Sequence, residues 1–252
     1  MSSKPFLIFL PGLDGTGRLL FRQTRLHDEY RVACENYPQD RSHTYVELAD
    51  HAAERIRNEN DGRSCIVLAE SFGGAVALTL AERHPELIQR MVLSNTFAYF
   101  ARRWLISPAS MLSFLAPNSP SPAWTRRLRG WMLFDDALPN DVQNGVWERT
   151  ADVPAKSMAR RVRMLAKVDL RDNLTELRVP TAVIVSPNDR LVPPRCGRLI
   201  AERMPNAEII ERPVGHAALL HPEICIHEIL VDETLWERLS QNSESGQATS
   251  VV

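Results

Sequence analysis

Three side chains of this chain of 252 residues could together carry out nucleophilic catalysis: Ser71, Asp189 and His216. Each lies just beyond a run of apolar residues that predicts a buried strand. A serine hydroxyl is a poor nucleophile until a base accepts its proton, and imidazole accepts protons near neutral pH. A carboxylate beside the imidazole fixes its tautomer and stabilises its charged form. The three residue types therefore predict a Ser–His–Asp arrangement if the fold brings them together.

Ser71 stands where a predicted strand turns sharply into a predicted helix. The apolar run of residues 65–69 precedes it, and two glycines and a helical spacing of apolar residues follow it. A serine at such a turn lies at a helix N-terminus, where free N–H groups and the helix dipole favour an oxyanion. The string A-E-S-F-G (residues 69–73) departs from the G-x-S-x-G pattern only at its first position, where alanine is still small. The alternative interpretation is a buried parallel strand and helix with an incidental serine.

The composition is that of an ordinary globular protein, with 44% hydrophobic and 24% charged residues. The length suits one large domain, or one domain with an inserted cap. A net charge of −1 gives no argument for a nucleic-acid or anionic-membrane partner. Four cysteines without a C-x-x-C pair argue against a zinc or redox site, so we expect no metal and no cofactor. Cys65, Cys196 and Cys225 lie in apolar patterns and are expected to be buried free thiols.

Targeting signals are not evident in the sequence. The apolar run Phe6–Leu10 is too short for the core of a signal peptide, and no small-residue cleavage site follows it. No segment is long enough to span a membrane. We therefore expect a cytoplasmic protein.

Strands and helices alternate over residues 6–95 and again from residue 181, which predicts a parallel sheet with right-handed crossovers. Residues 241–252 are rich in serine, glutamine and small residues and are expected to form a disordered tail. The predicted strands are 6–10, 30–37, 65–69, 88–95, 181–186 and 207–212. The predicted helices are 17–26, 45–58, 72–84, 194–204 and 222–239.

Residues 96–172 interrupt this alternation and are expected to form a helical cap, inserted into a core of residues 1–95 and 173–240. Four of the five tryptophans lie there, and Trp104 and Trp131 are candidates to cover a hydrophobic substrate. Residues 101–171 hold 12 Lys and Arg against 6 Asp and Glu. The simplest interpretation is a solvated basic face. Alternatively, the excess attracts an anionic substrate or carrier, such as a CoA thioester, an acyl carrier protein or a phospholipid head group.

Ser71, Asp189 and His216 can meet because each follows the carboxyl end of a predicted parallel strand, and these ends share one edge of the sheet. Asn95 occupies the other place at this edge where an acid could serve, and an amide cannot act as the carboxylate, which favours Asp189. The remaining histidines near the ends of predicted helices have a simpler structural interpretation; they are His84, His221 and His227.

The chain resembles α/β-hydrolase fold proteins over residues 6–239. The strings L-P-G-L-D-G-T-G (residues 10–17) and E-S-F-G-G (residues 70–74) resemble a narrower group. That group comprises bacterial α/β-hydrolases and the hydrolase part of plant phytyl ester synthases and diacylglycerol acyltransferase-like proteins. The resemblance implies about six mostly parallel strands flanked by helices, with an inserted helical cap. In this fold the loop after the first strand lies beside the nucleophile, so the Leu13 and Phe72 N–H groups would form the oxyanion hole.

The expected function is a carboxylesterase or lipase-like serine hydrolase (EC 3.1.1 type) that cleaves an ester or thioester of a small or acyl-type substrate. The chain begins at the strand before the oxyanion loop, without two leading antiparallel strands or a C-terminal acyltransferase domain, which argues against acyl transfer. One alternative is a thioesterase or acyltransferase with a CoA or carrier-protein donor, and another is a lyase or carbon–carbon bond hydrolase. A further alternative is a ligand-binding module with little turnover.

Overall fold

Six strands form one sheet in a computed structural model that describes residues 4–102, 106 and 125–245, with side chains up to 241. The strand order is β2-β1-β3-β4-β5-β6, and every neighbouring pair is parallel. This agrees with the predicted sheet of about six mostly parallel strands. The strands are β1 Phe6–Leu10, β2 Arg31–Cys34, β3 Cys65–Glu70, β4 Ile88–Ser94, β5 Thr181–Val185 and β6 Ala207–Glu211.

Helices pack on the two faces of the sheet and fill the connection between β4 and β5. Of the described helices, α4 to α6 lie in the segment of residues 96–172, which is called the insert below. The helices are α1 Leu26–Glu29, α2 Tyr45–Glu59, α3 Phe72–Arg83, α4 Thr125–Leu133, α5 Asn140–Arg149, α6 Ala155–Leu165, α7 Arg195–Arg203, α8 Ile226–Val231 and α9 Glu233–Ser245. Short 3-10 helices cover Arg18–Leu20, Pro85–Leu87, Leu174–Glu176 and Ala218–Leu220. None of the helices in the described residues is long and apolar enough to cross a membrane.

The inner strands are apolar on both faces because each face is covered by helices. Every residue of β1, β3 and β5 is buried, whereas β6 at the edge is half-buried. Alternate residues of one strand enter opposite cores: Ile8 belongs to the core beneath α2 and α3, and Leu7 belongs to the core beneath α8 and α9. Covered on both sides, the sheet is a rigid platform for whatever its loops carry.

The strand order reverses direction at the β1/β3 pair. The chain goes from β1 outward to β2 and then returns to β3 on the other side of β1. Ligands of open parallel sheets bind outside the carboxyl ends of strands at such a point. Leu10 pairs with Ala69, so the loop after β1 and the turn after β3 leave the sheet side by side.

Two segments differ from the predicted helices because distant contacts hold them. Residues 17–26, predicted as one helix, form only a 3-10 turn, and the buried Gln23 side chain bonds the carbonyls of Leu219 and Ile224 at 2.7 and 2.8 Å. The final helix, predicted over 222–239, is divided at Asp232 into α8 and α9. Helix α9 also continues to Ser245, into the segment expected to be a tail, and residues 246–252 lie outside the described residues. Cys225, expected to be buried, is half-buried.

Candidate active site

Ser71, Asp189 and His216 lie together at the carboxyl edge of the sheet. His216 Nε2 is 3.0 Å from Ser71 Oγ, and His216 Nδ1 is 2.7 Å from Asp189 Oδ2. Ser71 and Asp189 are 6% exposed and His216 is 4% exposed. Because Nδ1 faces a carboxylate, the proton of the neutral ring belongs on Nδ1, which leaves Nε2 free to accept from the Ser71 hydroxyl. The arrangement therefore allows His216 to take a proton from Ser71.

Ser71 is presented by a strained turn between β3 and α3. Its φ is 53° and its ψ is −117°, a conformation that costs a non-glycine residue of the order of 1–3 kcal/mol. Two bonds hold the turn: Ser71 N–H donates to the Ser94 carbonyl at 2.9 Å, and the Thr96 hydroxyl donates to the Ser71 carbonyl at 2.6 Å. The surrounding structure maintains this strain, as in the sharp strand-to-helix turns of the G-x-S-x-G type.

The small residues after Ser71 are required by close backbone contacts. A Cβ on Gly73 would overlap the carbonyl oxygens of Leu10 and Pro11, and a Cβ on Gly74 would overlap the Thr96 side chain. Helix α3 can therefore approach the loop of residues 11–17 that follows β1, called the β1 loop below, only with glycine at both positions. This contact seats the N-terminus of α3 against the loop that carries Leu13.

Phe72 directly follows Ser71, and Leu13 lines the same cavity as Ser71. Phe72 is the first residue of α3, and Leu13 lies in the β1 loop, which Gly15 N–H closes onto the Gly12 carbonyl at 3.0 Å. Within the described residues, neither the Leu13 nor the Phe72 N–H donates a hydrogen bond. The predicted oxyanion hole requires that both N–H groups be free of such bonds, and the role of Leu13 and Phe72 in it stays a prediction.

Asn95 is a residue of the site that sequence reasoning missed. It follows β4 with a φ of 44°, and its amide nitrogen donates to the carbonyls of Gly215 and His216 at 3.1 and 2.9 Å. Its amide oxygen accepts from Ser186 N–H at 3.0 Å. Asn95 thus ties the loop of residues 212–217, which carries His216 and is called the histidine loop below, to the end of β5. Its position directly after a strand of the same sheet edge was the signal that could have found it.

Backbone donors orient the Asp189 carboxylate. Its Oδ1 accepts from the N–H groups of Leu191 and Val192, both at 2.8 Å, while Oδ2 faces His216. A carboxylate held by two N–H groups cannot rotate away from the imidazole without losing them. Asp189 is therefore fixed in the orientation that a partner of His216 needs.

Charges around His216 set its protonation. Burial alone would lower the pKa of His216, but the negative charges of Asp189 and Glu70 oppose this, and the pKa ends above its ordinary value. Glu70 is buried directly before Ser71, and burial raises the pKa of its carboxyl to about 7. Glu70 therefore titrates close to neutral pH, and its negative charge helps to keep the pKa of His216 raised.

A cavity of about 370 Å³ opens onto Ser71 and is bounded by both the core and the insert. Its walls are almost entirely apolar, which suits a hydrocarbon group. Its lining includes Leu19, Phe100, Met132, Phe134, Met158, Val162 and Leu220. Trp131, a candidate substrate contact from the sequence, is not part of this lining: it is 59% exposed, because α4 turns Arg129, Met132 and Leu133 toward the cavity instead. Trp104 lies outside the described residues.

The insert is fastened to the histidine loop. Gly215 N–H donates to Asp135 Oδ2, and Ala217 N–H donates to the Leu133 carbonyl at 3.0 Å. The other oxygen of Asp135 accepts from Ala137 N–H and Leu138 N–H. The end of α4 and the segment after it therefore contact the residues on both sides of His216.

A second fastening joins the insert to the β1 loop. Arg161 of α6 is only 5% exposed, and its Nη2 donates to the Asp14 carbonyl at 3.2 Å and to Gln39 Oε1 at 2.8 Å. Its guanidinium packs on Gly15, where a Cβ would leave no room for it. Arg161 therefore holds the backbone next to Leu13.

The other histidines considered in the sequence are engaged elsewhere. His84 Nε2 is 2.9 Å from Asp50, and His227 Nε2 is 2.9 Å from Glu29. His221 Nδ1 accepts from Glu223 N–H. Among the described residues, no three His, Cys, Asp or Glu side chains are grouped as a metal ion would require.

Comparisons with known proteins agree with this geometry. The model of the alpha/beta hydrolase family matches residues 7–228. The pimeloyl-[acyl-carrier protein] methyl ester esterase of Aromatoleum aromaticum is 30% identical over 186 residues, 68% of this chain and 73% of that protein. Phytyl ester synthase 2 of Arabidopsis thaliana is 29% identical over 125 residues, 48% of this chain and 18% of that protein.

The fold is also that of a solved structure. A thermophilic esterase from Thermogutta terrifontis superposes with a TM-score of 0.76 at 18% identity, over 96% of this chain and 91% of that one. The resemblance drawn from the β1 loop and the turn at Ser71 is thus confirmed, both for the fold and for the likeness to phytyl ester synthases. This chain belongs to the alpha/beta hydrolase family.

Proposed function

We propose that this hydrolase is a carboxylesterase of the EC 3.1.1 type that works through an acyl-enzyme on Ser71. The observation that carries the proposal is the continuous contact from Ser71 Oγ to His216 Nε2 at 3.0 Å and from His216 Nδ1 to Asp189 at 2.7 Å. Contacts of this length suit proton transfer from a serine nucleophile to an imidazole base.

In the first half-reaction, Ser71 Oγ attacks the carbonyl carbon of the ester while its proton passes to His216 Nε2. The negative charge on the former carbonyl oxygen is received by the N–H groups of Leu13 and Phe72. The tetrahedral intermediate then collapses, His216 gives its proton to the leaving alkoxide, and the alcohol departs. Asp189 stabilises the imidazolium that exists between these two proton transfers.

In the second half-reaction, water attacks the acyl-enzyme. His216 accepts a proton from the water, the same N–H groups receive the oxyanion, and the Ser71 oxygen leaves with the proton returned by His216. The products are the carboxylic acid and the free enzyme. Since His216 must be neutral at the start of each half-reaction, activity is expected to rise with pH through its raised pKa.

The apolar cavity supports an acyl group as the part of the substrate that is buried. The insert supplies most of its roof, through Met132, Phe134, Met158 and Val162, and we propose that it acts as a cap over the core. A cavity of about 370 Å³ is at the small end of the range for ligand sites, which favours a short or medium acyl chain over a long lipid.

Steady-state and burst kinetics with p-nitrophenyl esters test the proposal. We expect turnover that peaks at one acyl length, with a burst of p-nitrophenol equal to the enzyme concentration if deacylation is slower than acylation. Absence of ester and thioester hydrolysis at every chain length would overturn the proposal. Stabilisation by esters without turnover would instead favour the ligand-binding alternative.

A second candidate is action on an acyl group attached to a carrier. The basic charge of the insert favours it, and one relative is named as an esterase of a pimeloyl-[acyl-carrier protein] methyl ester. Hydrolysis of a CoA or carrier-protein thioester faster than that of the matched methyl ester would favour a thioesterase. Capture of the acyl group by added alcohol in competition with water would indicate acyl transfer.

A further inference from the structure

Two arginines of the insert stand at the wall of the otherwise apolar cavity. Arg129 lies on α4 and shares a helix face with Met132 and Leu133, both of which line the cavity. Arg102 lines it as well, and one of its nitrogens donates to the Arg190 carbonyl at 2.6 Å. Guanidinium groups at the wall of a hydrocarbon-lined cavity are costly to desolvate unless an anion compensates them.

No such anion pairs with them within the described residues. Surface arginines of the core do pair: Arg83 contacts Asp50 at 2.9 Å and Arg198 contacts Glu211 at 2.6 Å. Among the described residues, Arg129 contacts the Trp147 ring, which lies 5.2 Å from its guanidinium carbon. Burial accordingly lowers the pKa of Arg129, although the Asp14 carboxylate acts in the opposite direction without forming an ion pair.

The aromatic contact also orients the guanidinium. Arg129 stacks on Trp147, which itself packs against Phe134 with ring centres 5.4 Å apart. A guanidinium fixed in this way keeps its N–H donors free and loses little further freedom when it binds a planar oxyanion. A carboxylate matches the parallel N–H donors of the guanidinium, because its two oxygens can accept two parallel hydrogen bonds.

Asp14 and Glu70 also line the cavity, but among the described residues neither forms an ion pair with Arg129 or Arg102. Asp14 is bound through Oδ2 to Thr16 N–H at 2.9 Å, and Glu70 directly precedes Ser71. The cavity is therefore acidic near the nucleophile and basic on the insert. A substrate with its ester at Ser71 and a negative charge elsewhere on its acyl group would present that charge to the arginines of the insert.

We propose that Arg129, assisted by Arg102, binds a free carboxylate on the acyl group, so that the preferred substrates are monoesters of dicarboxylic acids. This inference rests on the proposed esterase function. Hydrolysis breaks the ester C–O bond, water supplies the oxygen of the new carboxylate and the proton of the alcohol, and the distal carboxylate is unchanged.

Matched pairs of methyl esters test the inference: the monomethyl ester of a dicarboxylic acid against the monocarboxylic methyl ester of equal length. Hydrolysis is followed by acid release in a pH-stat. We expect kcat/KM to favour the carboxylate-bearing ester by roughly tenfold or more, the value of one good charge-assisted contact. Arg129→Gln should remove most of that preference, and Arg129→Lys should retain part of it.

Arg127→Gln is the matched control, because Arg127 lies on the same helix, is exposed and does not line the cavity. It should leave the preference intact. Equal use of both esters by the wild-type enzyme, or an equal loss in the two glutamine variants, would overturn the inference. In either case, hydrolysis of the neutral ester that disappears in Ser71→Ala would show that the proposed function still stands.

Discussion

The core holds its site residues with backbone hydrogen bonds at strand ends, whereas the insert reaches the same cavity through individual side chains. Ser71, Asn95 and Asp189 each exchange hydrogen bonds with main-chain groups of neighbouring strands or loops. Arg129, which lines the cavity, and Arg161, which donates to the Asp14 carbonyl, project from helices without Asp or Glu. Under the proposed function, this contrast implies that the sheet edge provides the reacting groups and that the insert selects what reaches them.

The largest expected effect comes from removing the proposed nucleophile of the core. Ser71→Ala should reduce kcat for ester hydrolysis by on the order of 10⁴-fold or more, because proton transfer and the acyl-enzyme are both lost. The melting temperature should change little, since the variant removes only one hydroxyl. Residual hydrolysis close to the wild-type rate would assign the chemistry to another group.

Asn95→Ala should have the next largest effect. It leaves the Gly215 carbonyl and the Ser186 N–H without their partner and removes one of the two donors to the His216 carbonyl, which keeps Ala218 N–H, so we expect a loss of stability of about 2–3 kcal/mol. A kcat reduced by about 100-fold should accompany it, because His216 is no longer held within reach of Ser71. Urea unfolding and steady-state kinetics measure the two effects.

Asn188→Ala is the control for Asn95, because Asn188 also bonds one carbonyl of the same loop, that of Pro213, but from an exposed position. It should change both quantities only slightly. Comparable losses in the two variants would contradict a special positioning role for Asn95.

Loosening the insert from the histidine loop should have a moderate effect. Asp135→Ala removes the acceptor of Gly215 N–H, and we expect kcat to fall by about tenfold while the free energy of unfolding falls by about 1 kcal/mol. Asp136→Ala, at the exposed neighbouring position, should leave kcat unchanged. If both variants behave alike, the contact between the insert and His216 does not matter for turnover.

The smallest effect on rate is expected from Glu70→Gln, which acts through pH. The folded-state pKa of Glu70 is about 7, above its ordinary value, so ionising this buried group destabilises the folded protein as pH rises from about 4.5 to 7. The free energy of unfolding of the variant should therefore exceed that of the wild type by up to about 3 kcal/mol above pH 7, and the two should be equal below pH 4.

Glu70→Gln should also move the pH–rate profile. The negative charge of Glu70 contributes to the raised pKa of His216, so its removal should shift the acidic limb of kcat/KM to lower pH. A limb that stays in place, or moves to higher pH, would contradict the electrostatic contact between the two groups.

The contrast between core and insert also explains what the sequence could predict. Ser71, Asp189 and His216 were found because each follows a recognisable apolar strand, and parallel strands bring their carboxyl ends to one edge. The alanine and glycines around Ser71 predicted the sharp strand-to-helix turn, because close backbone packing leaves room only for small residues there. Asn95 was judged only for its charge, and its role depends on hydrogen bonds to residues about 90 to 120 positions away.

In the insert, the composition indicated helices but not which side of each helix faces the cavity. Trp131 was favoured for its size, yet α4 turns Arg129 inward and leaves Trp131 exposed. Tertiary packing decides which side of a helix faces the rest of the protein. The sequence of a short helix that mixes polar and apolar residues does not determine that side. Arg161 was counted only as part of a basic excess, although it is buried against the Asp14 carbonyl.

The most direct test of Ser71 as the nucleophile is active-site labelling with a fluorophosphonate, followed by intact-mass measurement and peptide mapping. We expect one adduct per chain, located on Ser71, and strongly slowed labelling in His216→Ala because the base is missing. An adduct on a different residue, or no adduct on a folded enzyme that still hydrolyses esters, would contradict the assignment of Ser71 as the nucleophile.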